Sequence, residues 1–495
     1  MNKTGNTIAI TMPFRRLPLE LRSFFLILLV LGFSFQVRSQ AKIWTLKDCI
    51  QTALEKNIAL NQSQLNNEIT RITWDQSKYN LYPNLNLSDA HTISFGRSLD
   101  PVSYQYTNQS VNSNIPSLSS TVTLFSGLKN RDVIKENKLN YDAGTLDVEK
   151  LKNDLTLNVL QAYMQVLLDE EAVDIAKEQK ALTAEQVSRT EKYVAAGKFP
   201  ELNLFQVRSQ LAADNSAEVD AENTLQIAKV TLMQLLELSL APDFDIEKPG
   251  MEAILTEASV LSTEDIYKTA LNLQPQIKSA AMRIQSADWD LKAAQAALYP
   301  TLSLTGTMRT NYSSLRSQIS DQVIYQRENI GYLLGNPSQP VIGMVPLDMV
   351  SVSGYPAWKQ LNDNFGEVVG FTLTVPLFNN FQVKSAMAKS KVGIANAKLN
   401  EESVKIVLRK TIEQAYTDQM GAAKKLQAVN EQEKSEERTY GDMEKKFNAG
   451  MANMTDFLVE KNNYNKAKLS KASAKYDYIY KSKVVDFYLG KPVTF

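Results

Sequence analysis

Cysteine and histidine are almost missing from this chain. Its 495 residues include one cysteine, Cys49, and one histidine, His91. A disulfide framework and a cysteine-based zinc site each need several thiols, so both are excluded. His91 lies in an alternating stretch with Asn, Ser and Thr nearby and reads as a surface residue rather than a base or ligand. An excess of one charge is missing too, since 54 basic residues balance 54 acidic ones. A nucleic-acid partner, which needs a basic face, is not expected. No phosphate loop, nucleophile–histidine pair or metal-ligand cluster occurs. The reading is therefore a non-enzyme with no catalytic residue, no metal and no cofactor. Met443, Met451 and Met454 cluster near one turn, but without His or Cys beside them they read as packing.

Long apolar runs are also scarce. Phe24–Phe35 is an apolar core of 12 residues, against the roughly 20 that a membrane-spanning helix needs. Arg15, Arg16 and Arg22 flank it, and Val37-Arg38-Ser39 supplies small residues at a cleavage site. Residues 1–39 therefore read as a signal peptide, with a retained anchor as the alternative. Leu46-Lys47-Asp48 before Cys49 is not a lipoprotein box, so no lipid anchor is expected.

What is present is a duplication. Shifting the chain by 253 residues lays Phe125 on Phe378, Leu146 on Leu399, Gln161-Ala162-Tyr163 on Gln414-Ala415-Tyr416 and Ala196-Gly197 on Ala449-Gly450. A shift of 217 lays Tyr82-Pro83 on Tyr299-Pro300. The 36 extra residues between those shifts belong to a polar, Pro/Gly-bearing loop over Tyr312–Asn364. The expected organisation is a first repeat over 40–240, an irregular equatorial segment over 241–262 and a second repeat over 263–495.

Each repeat reads as helix, strand, loop, strand, long helix, turn and returning helix. Trp44–Tyr82 and Thr263–Leu298 are each expected as one helical stretch. Strands are expected at about 83–95, 116–126, 300–310 and 367–378, because apolar residues alternate there with Ser, Thr and Asn. The long helices are expected over 128–193 and 381–447, with turns at 195–200 and 448–455. At 1.5 Å per residue each long helix extends roughly 100 Å. In the first, Val148, Leu151, Leu155, Val159, Ala162 and Val166 form one coiled-coil seam, and Leu157, Leu160, Met164 and Leu167 form a second. Two seams predict neighbours on two sides, as in a ring of helices. Lengths suggest short helices stacked end to end beside each long one, 201–238 with 263–298 and 454–489 with 44–82.

Alternating strands with hydroxyl-rich faces and aromatic ends match a membrane β-barrel with a wet lumen. Four strands cannot close one, so several chains must combine. The alternative is a soluble periplasmic coiled-coil scaffold or adaptor.

The doubled order, with its Tyr-Pro, Leu-Phe and Ala-Gly markers, resembles the TolC family of outer-membrane efflux proteins over nearly the whole mature chain. The resemblance implies a mainly α fold with a small transmembrane β part. In it, four strands per chain join a homotrimeric twelve-stranded barrel above a periplasmic α-helical tunnel. It implies an outer-membrane channel for tripartite efflux or type I secretion. Its partners would be outer-membrane lipid, a periplasmic adaptor (membrane fusion protein) and an inner-membrane pump. The adaptor would grip Ala196, Gly197 and Lys198 on one turn and Ala449 and Gly450 on the other. By position the family's first gate carboxylate falls on Asp456 and its second on Val459, with Glu460 beside it. The gate tyrosine falls on Phe447, the gate arginine on Ala452 and the first-repeat carboxylate on Asn203. The ionic latch is thus not carried over, and apolar closure by Phe447, Tyr193 and Met451 is expected instead. Asp456 reads equally as a pore carboxylate or as an acid favoured at a helix N-terminus.

Overall fold

The structure is a computed structural model of the 495-residue chain. It describes residues 43–99, 104–239, 244–249, 262–316, 318–319, 324–347, 351–352 and 354–494. The expected signal peptide and most of the 241–262 segment lie outside these residues.

Eight helices longer than one or two turns carry the architecture among the described residues. They are α1 (Leu46–Lys56), α2 (Ile58–Tyr79), α3 (Lys129–Ala195), α4 (Glu201–Leu235), α5 (Thr263–Leu273), α6 (Pro275–Ala296), α7 (Gln382–Asn448) and α8 (Met454–Tyr488). α3 and α7 each have 67 residues, and α4 and α8 each have 35. No proline and only Gly144 interrupt α3, so nothing in it removes a backbone hydrogen bond. Both of its seams are buried along the strand-side half: Val148, Leu155, Val159, Leu160, Met164, Val166 and Leu167.

Two expectations change. The stretches over Trp44–Tyr82 and Thr263–Leu298 are each broken once, at Asn57 and at Gln274. Pro275 pushes Gln274 to ψ 126, and the missing proline N–H is harmless in the first turn of α6. Asn57 takes ψ 123 and its side chain accepts from the Leu60 backbone N–H at 3.0 Å, so it caps α2 directly. The end-to-end pairing is also exchanged. Leu232 and Leu236 at the end of α4 share a core with Leu46, Cys49 and Ala53 of α1. Val485 at the end of α8 shares one with Ile266 and Ala270 of α5.

Four long strands form one antiparallel sheet in the order β4-β3-β2-β1, where β1 is Asn86–Ser94, β2 Val111–Ser126, β3 Thr301–Arg309 and β4 Gly366–Thr374, and a fifth, two-residue strand, Tyr312–Ser313, pairs with β2. Register runs from Ser126↔Thr301 to Ser117↔Arg309 between β2 and β3, with one bulge between Thr123 and Phe125. β2 begins at Val111, five residues before the expected position, because Val111–Ser119 pairs with Asn86–Ser94. The expected loop over Tyr312–Asn364 is also structured. It carries an antiparallel hairpin, Ile324–Leu333 with Asn336–Leu347, and a short helix, Ala357–Asp363. Pro337, Pro340 and Pro346 are tolerated there because both strands are edges.

At the passage from β2 into α3, Gly127 has φ +63, and a Cβ on it would stand 2.5 Å from the Ala296 carbonyl oxygen. Only glycine fits that crossing of strand and helix. Midway along α3 the chain ties itself together. Ile43–Trp44 pairs in parallel with Asp245–Ile246, and the Tyr163 hydroxyl donates to the Glu247 carbonyl at 2.6 Å.

Candidate periplasmic tip

The two long hairpins, α3–α4 and α7–α8, end side by side far from the sheet. Each turn is built alike. Lys198 N–H donates to the Tyr193 carbonyl at 2.8 Å, and Met451 N–H donates to the Lys446 carbonyl at 2.9 Å. Gly197 and Gly450 take φ +69 and +75, the left-handed conformation that closes a Schellman motif. Ala196, Gly197, Lys198, Ala449 and Gly450 are all exposed, so both turns present backbone to solvent.

Just inside the turns lies a small apolar cluster of Val207, Phe447, Met454 and Phe457. Phe447 is 2% exposed and stacks on Phe457 at 4.8 Å between ring centroids. Its other neighbour is Phe199, 5.7 Å away, which in turn meets Tyr193 edge-on at 5.1 Å. The structure thus places Phe447 in the packing that joins the hairpins rather than on a surface that could close against another chain. Met451 has the opposite environment, 74% exposed at the turn. Tyr193 is half-buried between these two cases.

Asp456 occupies the first turn of α8. Its N–H donates to Asn453 Oδ1 at 2.8 Å, and Asn453 Nδ2 donates to its carboxylate at 2.6 Å. The carboxylate is nevertheless exposed, so the helix-cap role and an outward-facing charge coexist in one residue. Glu460 lies one turn further along α8, half-buried, and Asn203 is half-buried in the first turn of α4. At the surface, Arg189 Nη1 donates to Asn448 Oδ1 at 3.1 Å across the hairpins.

Behind the apolar cluster the core turns polar. Gln179, Thr183, Gln186 and Thr190 are buried on α3 at spacings of 4, 3 and 4, the positions that apolar residues fill nearer the sheet. Lys461 of α8 is 3% exposed and donates from Nζ to Thr183 Oγ1 at 2.6 Å. The Thr183 hydroxyl donates to the Asp214 carboxylate of α4, which also accepts from Gln210 Nε2 at 2.8 Å. Burial pushes the Lys461 amine down to about 8, against the opposing pull of Asp214 and Glu444. Burial likewise pushes the Tyr440 phenol up to about 12. The sequence reading did not find this cluster. Its signal is there: Met454, Phe457 and Lys461 step by 3 and 4, which puts a lysine on an apolar seam.

Comparison with known proteins agrees with this architecture. Residues 49–237 and 350–491, more than half of the chain, match the family model described as outer membrane efflux protein. The chain is 26% identical over 268 residues to the probable outer membrane lipoprotein SilC of Salmonella typhimurium, spanning 54% of this chain and 56% of SilC. It is 22% identical over 488 residues to the outer membrane protein TolC of Salmonella enteritidis, covering 95% of this chain and 87% of TolC. The fold is similar to the crystal structure of outer membrane protein VceC of Vibrio cholerae. The TM-score is 0.69 at 14% identity, covering 90% of this chain and 96% of VceC. The matched family model, the doubled hairpins and the antiparallel sheet agree: the chain belongs to the outer membrane efflux protein family.

Proposed function

We propose that three copies of the chain form the outer-membrane channel of a tripartite export assembly, a passive conduit from periplasm to exterior. The observation that carries this reading is an unpartnered flank. α3 packs against α2 on one side and α6 on the other, whereas α7 packs against α6 with no comparable α2 beside it among the described residues. Val392, Leu399 and Ile406 are exposed along α7 at steps of seven, and Leu65, Ile69 and Ile72 are exposed on α2. The internal symmetry supports α2 of a neighbouring copy in that place. Such a contact is head-to-tail, and with a threefold rotation it would close into a ring.

The sheet asks for the same neighbour. β1 and β4 are its edges, and lipid tolerates no open edge. Edge pairing of three copies makes a twelve-stranded barrel, and the hairpins beneath it make a tunnel roughly 100 Å long. The exposed turns at Ala196–Lys198 and Ala449–Gly450 suit a periplasmic adaptor, which would join the tunnel to an inner-membrane pump that supplies energy and selects cargo. Asp456, Glu460 and Met451 would face the tip opening, with Tyr193 and Asn203 bordering it.

The test is the native mass of the detergent-extracted particle together with its conductance in planar bilayers. Three chains and a conducting pore are expected. A monomer or dimer released without detergent would overturn the channel and leave a periplasmic scaffold.

A further inference from the structure

The lysine buried between the hairpins has no part in the positions that the family resemblance marked. Lys461 lies five residues beyond Asp456, behind the apolar cluster, at a seam position where an apolar residue would pack well. It is held by groups from both helices of the other hairpin: Thr183 of α3 directly, and Asp214 of α4 through Thr183. The charged groups bearing on it are Asp214 from α4 and Glu444 from α7, while α3 contributes only the neutral Thr183 to its amine. The hydrogen bond its amine donates goes to the neutral Thr183 hydroxyl rather than to a carboxylate. The ammonium therefore has one strong acceptor where water would give it three.

Nearby groups are under-satisfied as well. Gln186 Nε2 and Thr190 Oγ1 are buried without a hydrogen-bond partner. Hydration would satisfy all three residues at once, and it requires the hairpins to part.

We propose that Lys461 is a gating residue of the periplasmic tip: its buried ammonium biases the paired hairpins α3–α4 and α7–α8 towards separation, and its neutral form lets them close. This rests on the channel reading above. The sign follows from burial. The packed state holds the amine at about 8, and a hydrated lysine titrates near 10.5. The penalty on packing is thus full below pH 8 and fades as pH rises to 10.5, so closure strengthens with pH.

The experiment is single-channel recording of the full-length protein in planar bilayers between pH 7 and pH 9.5 on the tip side. The ratio of closed to open time should rise about thirtyfold across that range. Lys461→Met should be mostly closed and flat with pH, because an apolar side chain of similar length packs without a charge. Lys461→Arg should be mostly open and flat, because its guanidinium keeps its proton throughout. Opposite shifts in two variants at one site are not what a simple packing defect produces. A conducting wild type with no pH response overturns the inference and leaves the channel standing. So does a Lys461→Met variant that keeps the wild-type profile, or two variants that shift together. A wild type that conducts at no pH overturns both.

Discussion

The two halves of α3 lie on one continuous helix and are packed by opposite chemistry. From Val148 to Leu167 its buried residues are apolar, and from Gln179 to Thr190 they are polar. Apolar burial is stabilising wherever water is excluded, at roughly 25 cal/mol per Å2. A buried hydrogen bond contributes only about 1 kcal/mol net, because water replaces it when the surfaces part. The sheet-side half is thus held permanently, and the tip-side half is held on terms that hydration can match. A tunnel that stayed tubular above and opened below would need that difference, and it is written along a single helix.

The comparison can be broken at its strongest point, the apolar cluster that caps the polar half. Phe447→Ala should cost about 4 kcal/mol of tip stability. It should also raise single-channel conductance and expose the turns near Gly197 and Gly450 to protease. Unchanged conductance and digestion would mean that the polar seam holds the tip unaided. Next comes Leu160→Ala in the sheet-side half, where the side chain is fully buried. A loss of about 3 kcal/mol is expected there, read as a lower thermal midpoint with conductance unaltered. Altered gating from this variant would erase the distinction between the halves. The smallest effect is Thr190→Val, which removes a buried hydroxyl that has no partner. A gain of about 1 kcal/mol and fewer openings are expected; a destabilised tip would show that water or a neighbouring chain satisfies this hydroxyl.

Much of this was legible in the sequence because the duplication repeats it. The helices 129–195 and 382–448 obey the 253-residue shift at both ends, as do 201–235 and 454–488. Even the unexpected breaks obey a shift, since α1–α2 and α5–α6 superpose at 217. Pro275 announced its break, but Asn57 did not, because a polar residue on an exposed helix face looks the same whether it caps or continues. The hairpin Ile324–Leu347 was hidden by its prolines and glycines, which read as loop unless both strands are known to be edges. Phe447 was assigned to closure from position alone. Its burial depends on Phe457 of α8 and on Phe199 in the turn between α3 and α4. Lys461 was missed because one basic residue on a charged helix carries no periodic signal until its neighbours are counted.

The clasp at mid-height has a mechanical meaning. Tyr163 stands 34 residues past the first residue of α3 and 32 before its last, and its hydroxyl binds the strand pair that joins the chain's beginning to the link between repeats. It is a fulcrum. The lever arm below it is roughly 50 Å. A tilt of about 6° about that point carries the tip sideways by about 5 Å, close to one helical turn's rise. Three such arms swinging outward would widen an aperture by more than the width of a hydrated ion. Because α3 runs unbroken through Tyr163, keeping the structure above the pivot in place would require a bend of about 6° in that helix at mid-height.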